Sequence, residues 1–117
     1  MGFLLYIVAS VLKNLIGLAA WLYCEIRSLF KKEWNSYNEN LAEAKDQYGN
    51  ALCMYLFNDI LIKNNGYKFG NKDETISSVI GKNHIKGTLT WLGRFLDMIL
   101  DMLQKDHSIK SIDNTIK

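Results

Sequence analysis

Residues Phe3–Cys24 carry one charged side chain, Lys13, and one side-chain amide, Asn14; nearly all the rest are aliphatic, aromatic or small. Few environments accept such a run. As a helix it is about 33 Å long, close to the hydrocarbon thickness of a bilayer. Trp21, Tyr23 and Trp34 lie towards its far end, where an interfacial aromatic belt would sit, and Arg27, Lys31 and Lys32 follow. No charged side chain precedes Lys13, so the positive-inside rule puts the C-terminal body on the cytoplasmic side. A lysine at the centre of a span costs roughly 2.5–3.5 kcal/mol, and the surrounding Leu, Ile, Val and Phe return a few tenths each. A span remains feasible on that balance.

Periodicity adds a second constraint. Leu5, Val8, Leu12, Leu15, Ala19, Leu22, Ile26 and Leu29 alternate spacings of three and four, an unbroken heptad-type seam. Tyr6, Ser10, Lys13, Gly17, Ala20, Cys24, Arg27 and Lys31 form a polar or small stripe on the opposite side. A lone lipid-facing span has no need of such a stripe. It suits a helix whose Lys13 faces a neighbouring helix or snorkels, or one lying flat in the interface. Three readings follow: a spanning helix, which the length and flanks favour, an interfacial helix, and the core helix of a soluble bundle. A cleaved signal peptide is not expected, because the n-region lacks a positive side chain and no small-x-small site ends the run. Tyr6 stands where a myristoylation motif needs Ser or Thr.

The whole chain has 117 residues, 49% hydrophobic and 22% charged, which fits one small folded domain with an appendage. The net charge of +2 belongs entirely to residues 1–34, and the remainder is neutral. That is too little for a nucleic-acid footprint, so no nucleic-acid partner is expected. There is no proline, so helices run without proline kinks. Cys24 and Cys53 form no disulfide framework.

Beyond residue 34 the pattern is helical. Trp34, Tyr37, Leu41, Ala44 and Tyr48 are sparse anchors of a continued or second helix starting near Asn38, with a break at Gly49-Asn50. Ala51–Ile62 is apolar and reads as a buried helix, too short to span. Asn64-Asn65-Gly66 is a turn, and Tyr67–Lys72 a loop. A short helix follows, capped by Asp73 with Glu74 in its first turn and closed by Gly81. Thr88–Lys105 is an amphipathic helix with Leu89, Leu92, Leu96, Ile99 and Leu103 on one face. Arg94–Asp97 and Asp101–Lys105 are at pairing distance on its wet side. A polar tail with Ile109, Ile112 and Ile116 ends the chain.

Chemistry is sparse. His84 and His107 are the only histidines, and no HxxxH, CxxC or HExxH spacing surrounds them. Asp106-His107 beside Ser108 and Ser111 reads as helix-end capping rather than a triad. Gly81-Lys82 lacks the upstream glycine of a phosphate loop, since position 76 is Ile76, and Asn83 replaces its Ser or Thr. Thr75, Ser77, Ser78 and Lys82 form a candidate contact for an anion or lipid head group, although caps and packing spacers account for the hydroxyls more simply. No cofactor, metal or catalytic residue is expected, and the chain is read as a non-enzyme.

The segments Tyr67-Lys68-Phe69-Gly70, Glu74-Thr75-Ile76-Ser77-Ser78, Gly81-Lys82-Asn83, Thr88-Leu89-Thr90 and Asp106-His107 through Lys110-Ser111-Ile112 resemble small uncharacterised proteins of phages and prophages. These combine a hydrophobic N-terminus, a Glu-Thr-Ile-Ser-type stretch and a C-terminal Asp-His element. The resemblance covers about residues 51–113. Ser108 stands where a cysteine usually follows the histidine, which removes any role resting on a Cys-His pair. The resemblance implies a viral, membrane-associated protein and carries no activity.

The expectation is therefore an all-α protein: a membrane helix with a basic flank (1–34), a body of about three helices (35–113) and a tail (114–117). It would be a single-pass membrane protein with its body in the cytoplasm or virion interior. It would act by interaction, its partners being the bilayer and either further copies of itself or other membrane or virion proteins. Membrane permeabilisation, as by a holin-like lysis protein, is one alternative. A small soluble binding module, or enzyme using His84 or His107 with Glu74, is the other.

Overall fold

The computed structural model describes residues 1–115, and these fold without a β-sheet. The helices are α1 (Gly2–Phe30), α2 (Trp34–Leu52), α3 (Met54–Ile60), α4 (Ile76–Lys86), α5 (Trp91–Leu103) and α6 (His107–Lys110). The protein is all-α, with one long apolar N-terminal helix. The chain divides into two compact units, Met1–Leu41 and Ala42–Lys117.

In the first unit, α1 runs 29 residues unbroken, as a proline-free apolar sequence allows. It stops at Lys31 and Lys32, the latter with a positive φ of 60°. The Glu33 amide then returns to the Ser28 carbonyl at 2.8 Å, and the Trp34 indole donates to Glu25 at 3.0 Å. A three-residue turn therefore separates α1 from α2. Helix α2 starts at Trp34, not near Asn38, because the turn already supplies the break. It continues through Gly49-Asn50 to Leu52, since neither residue departs from helical geometry there.

The second unit has a small core of Leu61, Ile62, Phe69, Val79, Ile80 and Leu89. Phe57, Tyr67, Ile76, Leu92, Leu96 and Leu100 pack around it, with Phe57 and Phe69 edge to face at 5.4 Å. The expected buried helix over Ala51–Ile62 is shorter and more exposed than its composition implied. Only Leu61 and Ile62 of that stretch are buried hydrophobics, and both lie beyond the end of α3. They form a short antiparallel contact instead, bridging Ile62 to Leu89. The Lys63 amide donates to the Thr88 carbonyl and the Thr90 amide to the Leu61 carbonyl.

Helix α4 begins later and ends later than its sequence suggested. Its N-cap is Thr75, whose hydroxyl accepts from the Ser78 amide at 3.0 Å, rather than Asp73. The negative charge at this N-terminus comes from α2: Asp46 accepts from the Ile76 amide at 2.8 Å and the Ser77 hydroxyl at 3.2 Å. An anion there is favoured by the free amides and the helix dipole. The closing glycine is Gly87, in the left-handed region at φ 71°, and not Gly81. Gly81 lies inside α4, where a Cβ would run into the Ser108 carbonyl, so its bare backbone lets α6 approach. Likewise Gly93 in α5 faces the Leu61 carbonyl. Part of the expected tail, 107–110, is the short helix α6, held against α4 and α5. Ile116 lies outside the described residues.

Residues 63–75 join these helices without regular structure, and buried asparagines hold them. Asn83 accepts from the Tyr67 amide (2.9 Å) and the Thr88 hydroxyl (2.6 Å) and donates to the carbonyls of Tyr67 and Val79 (2.8 and 2.9 Å). Asn50 accepts from the Gly70 amide and donates to the carbonyls of Asn71 and Glu74. Asn58 brackets Phe69 in the same way.

Asn83→Ala removes four hydrogen bonds and strands buried partners, so a loss of about 3 kcal/mol or more is expected. Gly93→Ala should cost about 1–3 kcal/mol by overpacking against backbone. Urea denaturation of the full chain in mild detergent, followed by near-UV circular dichroism, measures both. An Asn83→Ala midpoint equal to the parent's would show that the clamp is dispensable.

Candidate functional site

The most consequential surface is α1 itself. It is long and apolar enough to cross a membrane, and none of its 18-residue apolar window is buried. All eight seam residues, Leu5, Val8, Leu12, Leu15, Ala19, Leu22, Ile26 and Leu29, are exposed. Lys13 is exposed on the other side, as are Trp21, Arg27, Lys31, Lys32 and Trp34 at the C-terminal end. A helix that formed the core of a soluble globule would bury one of these faces. In this structure neither face is buried.

The second unit contains two polar clusters. The first surrounds Glu74, whose side chain is fully buried. Its carboxylate accepts from the Tyr67 hydroxyl at 2.8 Å and the Ser78 hydroxyl at 2.6 Å, and pairs with the Lys82 ammonium at 2.6 Å. Lys82 also lies over the Tyr67 ring, 4.4 Å from its centroid. The Asp113 amide donates to Ser78 at 2.8 Å, so the cluster ties the loop, α4 and the C-terminal segment together. Burial raises the Tyr67 pKa, and the bond to Glu74 adds to this, against a lowering by Lys82. For Lys82, burial opposes the charge, but the bonds to Glu74 and Tyr67 outweigh it and the pKa lies above its ordinary value.

This geometry gives Thr75, Ser77, Ser78 and Lys82, the candidate anion contacts, partners within the chain. Thr75 caps α4, Ser77 bonds Asp46, and Ser78 and Lys82 both bond Glu74. Two carboxylates the protein already supplies, Asp46 at Ser77 and Glu74 at Ser78 and Lys82, occupy these groups. The sequence did place Glu74, Ser78 and Lys82 at helical spacing of four, which was the available signal for the cluster. Tyr67 comes from a loop and had no such signal.

The second cluster joins three helices. His84 of α4 bonds Asp97 of α5 through Nδ1, and the Ser108 hydroxyl of α6 donates to the other Asp97 oxygen. These residues border a cleft of about 450 Å³ with Arg94, Asp101 and Asp106. The expected Arg94–Asp97 and Asp101–Lys105 pairs are not among the ion pairs of the described residues, which are Lys72–Asp73 and Lys82–Glu74. Asp97 is drawn to His84 and Ser108, and Asp101 accepts from the Asp106 amide.

A carboxylate-oriented imidazole is half of a general-base arrangement. No nucleophile completes it among the described residues: Ser108 donates to Asp97, and Ser111 donates to the His107 carbonyl. His107 contacts Gln104. Glu74 is bonded to neither histidine, so the His–Glu74 pairing of the enzyme alternative is not formed. No group of three or more His, Cys, Asp or Glu residues is placed to hold a metal among the described residues.

Lys82→Met leaves a buried carboxylate unpaired and should cost about 3–5 kcal/mol, whereas Lys82→Met with Glu74→Gln should cost much less than the sum of the singles. Lys82 and Tyr67 both bind their protons more tightly in the fold than at their free values of 10.5 and 10.0. Their contribution is therefore complete below about pH 10 and is lost as pH rises through the folded values. Thermal melts across pH 8–11 should show this decline, shallower in the paired variant. Equal slopes in parent and paired variant would remove the cluster as its source.

No protein-family model matches the chain, and neither a curated protein nor a solved structure does.

Proposed function

We propose that the protein is a membrane-anchored interaction protein, with α1 as its single-pass anchor and the helical unit beyond it as the body presented at the membrane face. The observation that carries this is the exposure of α1. An apolar helix about 43 Å long, with no face covered by the chain, is stable in lipid and costly in water. Exposed Arg27, Lys31 and Lys32 at its C-terminal end support a body on the cytoplasmic or virion-interior side. The resemblance to phage and prophage proteins supports a viral setting. The role is read as anchoring rather than catalysis, because the polar clusters of the body are spent on joining its helices.

Membrane fractionation with an alkaline carbonate wash tests the anchor. The protein should remain in the pellet. Release into the supernatant would reduce it to a peripheral or soluble protein and end the reading.

Self-association through the Leu5–Leu29 seam is the specific form of interaction proposed. Its support is the unbroken three-four spacing, opposite the Lys13 stripe, on a helix whose two sides are both open. Crosslinking in detergent should give oligomers that disappear with Leu12→Lys plus Leu22→Lys. Oligomers unchanged by that pair would exclude the seam. The permeabilising alternative uses the same Lys13 stripe to line a defect, and it requires loss of membrane potential on induced expression. A potential-sensitive dye that stays unchanged at confirmed membrane abundance counts against it.

A further inference from the structure

Helix α5 has three faces where an ordinary surface helix has two. Leu92, Leu96 and Leu100 point into the core and Gly93 lies against the Leu61 carbonyl. Arg94, Asp97 and Asp101 line the cleft, and Met98, the stripe residue next to them, borders it. The third face is apolar and bare. Trp91, Phe95, Met98 and Met102 are 70%, 53%, 52% and 79% exposed. At about 100° per residue these four fall within an arc of about 60°, one continuous stripe along the helix. Ile99 is exposed at its edge, beside the core-facing leucines. The core does not require the stripe, because the three leucines already fill α5's place in it.

We infer that this stripe of α5 is a second membrane contact, by which the body lies on the bilayer interface. The inference rests on α1 being a membrane anchor. Three observations select a lipid surface over a protein partner. First, size: a helix of 13 residues is about 20 Å long and 10–12 Å across, so one face offers on the order of 200 Å². A stable protein interface needs about 800 Å² from each partner. Secondly, charge: the stripe's polar margin carries Arg94 and, two turns on, Asp101, while Asp97 is engaged with His84 and Ser108. The margin offers neither sign strongly, so it does not select a charged protein surface. Thirdly, chemistry: a tryptophan with phenylalanine and methionines is a composition that partitions into the boundary between head groups and acyl chains. An isolated stripe of this size would bind lipid weakly. Covalent continuity with an anchor makes the second contact intramolecular, at an effective concentration that a weak surface can use.

The three tryptophans provide the test in the full chain. Trp21→Phe with Trp34→Phe leaves Trp91 as sole reporter, and Trp34→Phe with Trp91→Phe leaves Trp21. Both forms are reconstituted in phosphatidylcholine vesicles with bromine on the upper acyl chain. Quenching of Trp91 as well as Trp21 is expected, with a blue-shifted Trp91 emission. Little change is expected on adding anionic lipid, because the stripe's margin is close to neutral. Phe95→Glu with Met102→Glu, two exposed positions outside the core, should abolish the Trp91 quenching and leave Trp21 quenched. Quenching of Trp21 alone overturns the inference and leaves the anchor standing. Iodide then distinguishes a stripe in water from one covered by a second copy or another protein. Quenching of neither tryptophan overturns the anchor reading and this inference together.

Discussion

The body of this protein depends on how a stretch without helix or sheet satisfies its own peptide groups. Residues 63–75 pass along a core that includes Phe69, where an unpaired amide or carbonyl costs more than a hydrogen bond is worth. Three asparagine side chains do what a neighbouring strand would otherwise do. Each of Asn50, Asn58 and Asn83 presents a donor and an acceptor, and each pairs with the loop on both. Because Asn50 lies on α2, Asn58 on α3 and Asn83 on α4, the loop in turn fixes three helices about one segment. Remove the amides and the loop loses its reason to enter the interior.

Polar contacts elsewhere follow the same logic. Among the described residues the hydrophobic core of the second unit has six buried members, a small set for a domain of this size. Charged groups therefore act as joints. Glu74, Lys82, Tyr67 and Ser78 close one end of α4, and Asp97 gathers α5, His84 and Ser108 at another. Such joints contribute little net stability by comparison with apolar packing, but breaking one partner is costly, which gives them directional specificity. It also explains why residues that resemble a reactive set, a histidine with an aspartate and a serine, are occupied in holding helices together.

The two ends of the chain present opposite problems. The second unit gathers a small set of apolar side chains inward, leaves others such as Tyr55, Leu56 and the α5 stripe exposed, and spends polar groups on its seams. Helix α1 turns none of its apolar window inward. Under the proposed function a bilayer would resolve that imbalance, and the bare stripe on α5 is a smaller version of it within the body. Membrane association, as proposed, would unite two features that are otherwise separate liabilities for aggregation.

Much of this was legible in the sequence for a local reason. Helix content follows from spacing and the absence of proline, and the length of α1 from the uninterrupted run between Phe3 and Cys24. The Asn64-Asn65-Gly66 turn lies where local signals are strong, whereas the cap expected at Asp73 is Thr75. What local signals could not decide was distance. Asp46 reaches the α4 N-terminus from 30 residues away in sequence, and Gly81, which reads as a helix stop, is instead the point where Ser108 must fit. The apolar stretch from Ala51 to Ile62 resembles core throughout, yet Tyr55 and Leu56 face outward because Leu61 and Ile62 already fill the available interior. Sequence alone determined that the chain is all-α and that one helix is long and apolar enough to cross a membrane, since both depend on neighbours within a few turns. Only the tertiary structure decided which polar side chains are buried together and which apolar face of α5 remains open, because those depend on which groups the fold brings within bonding distance.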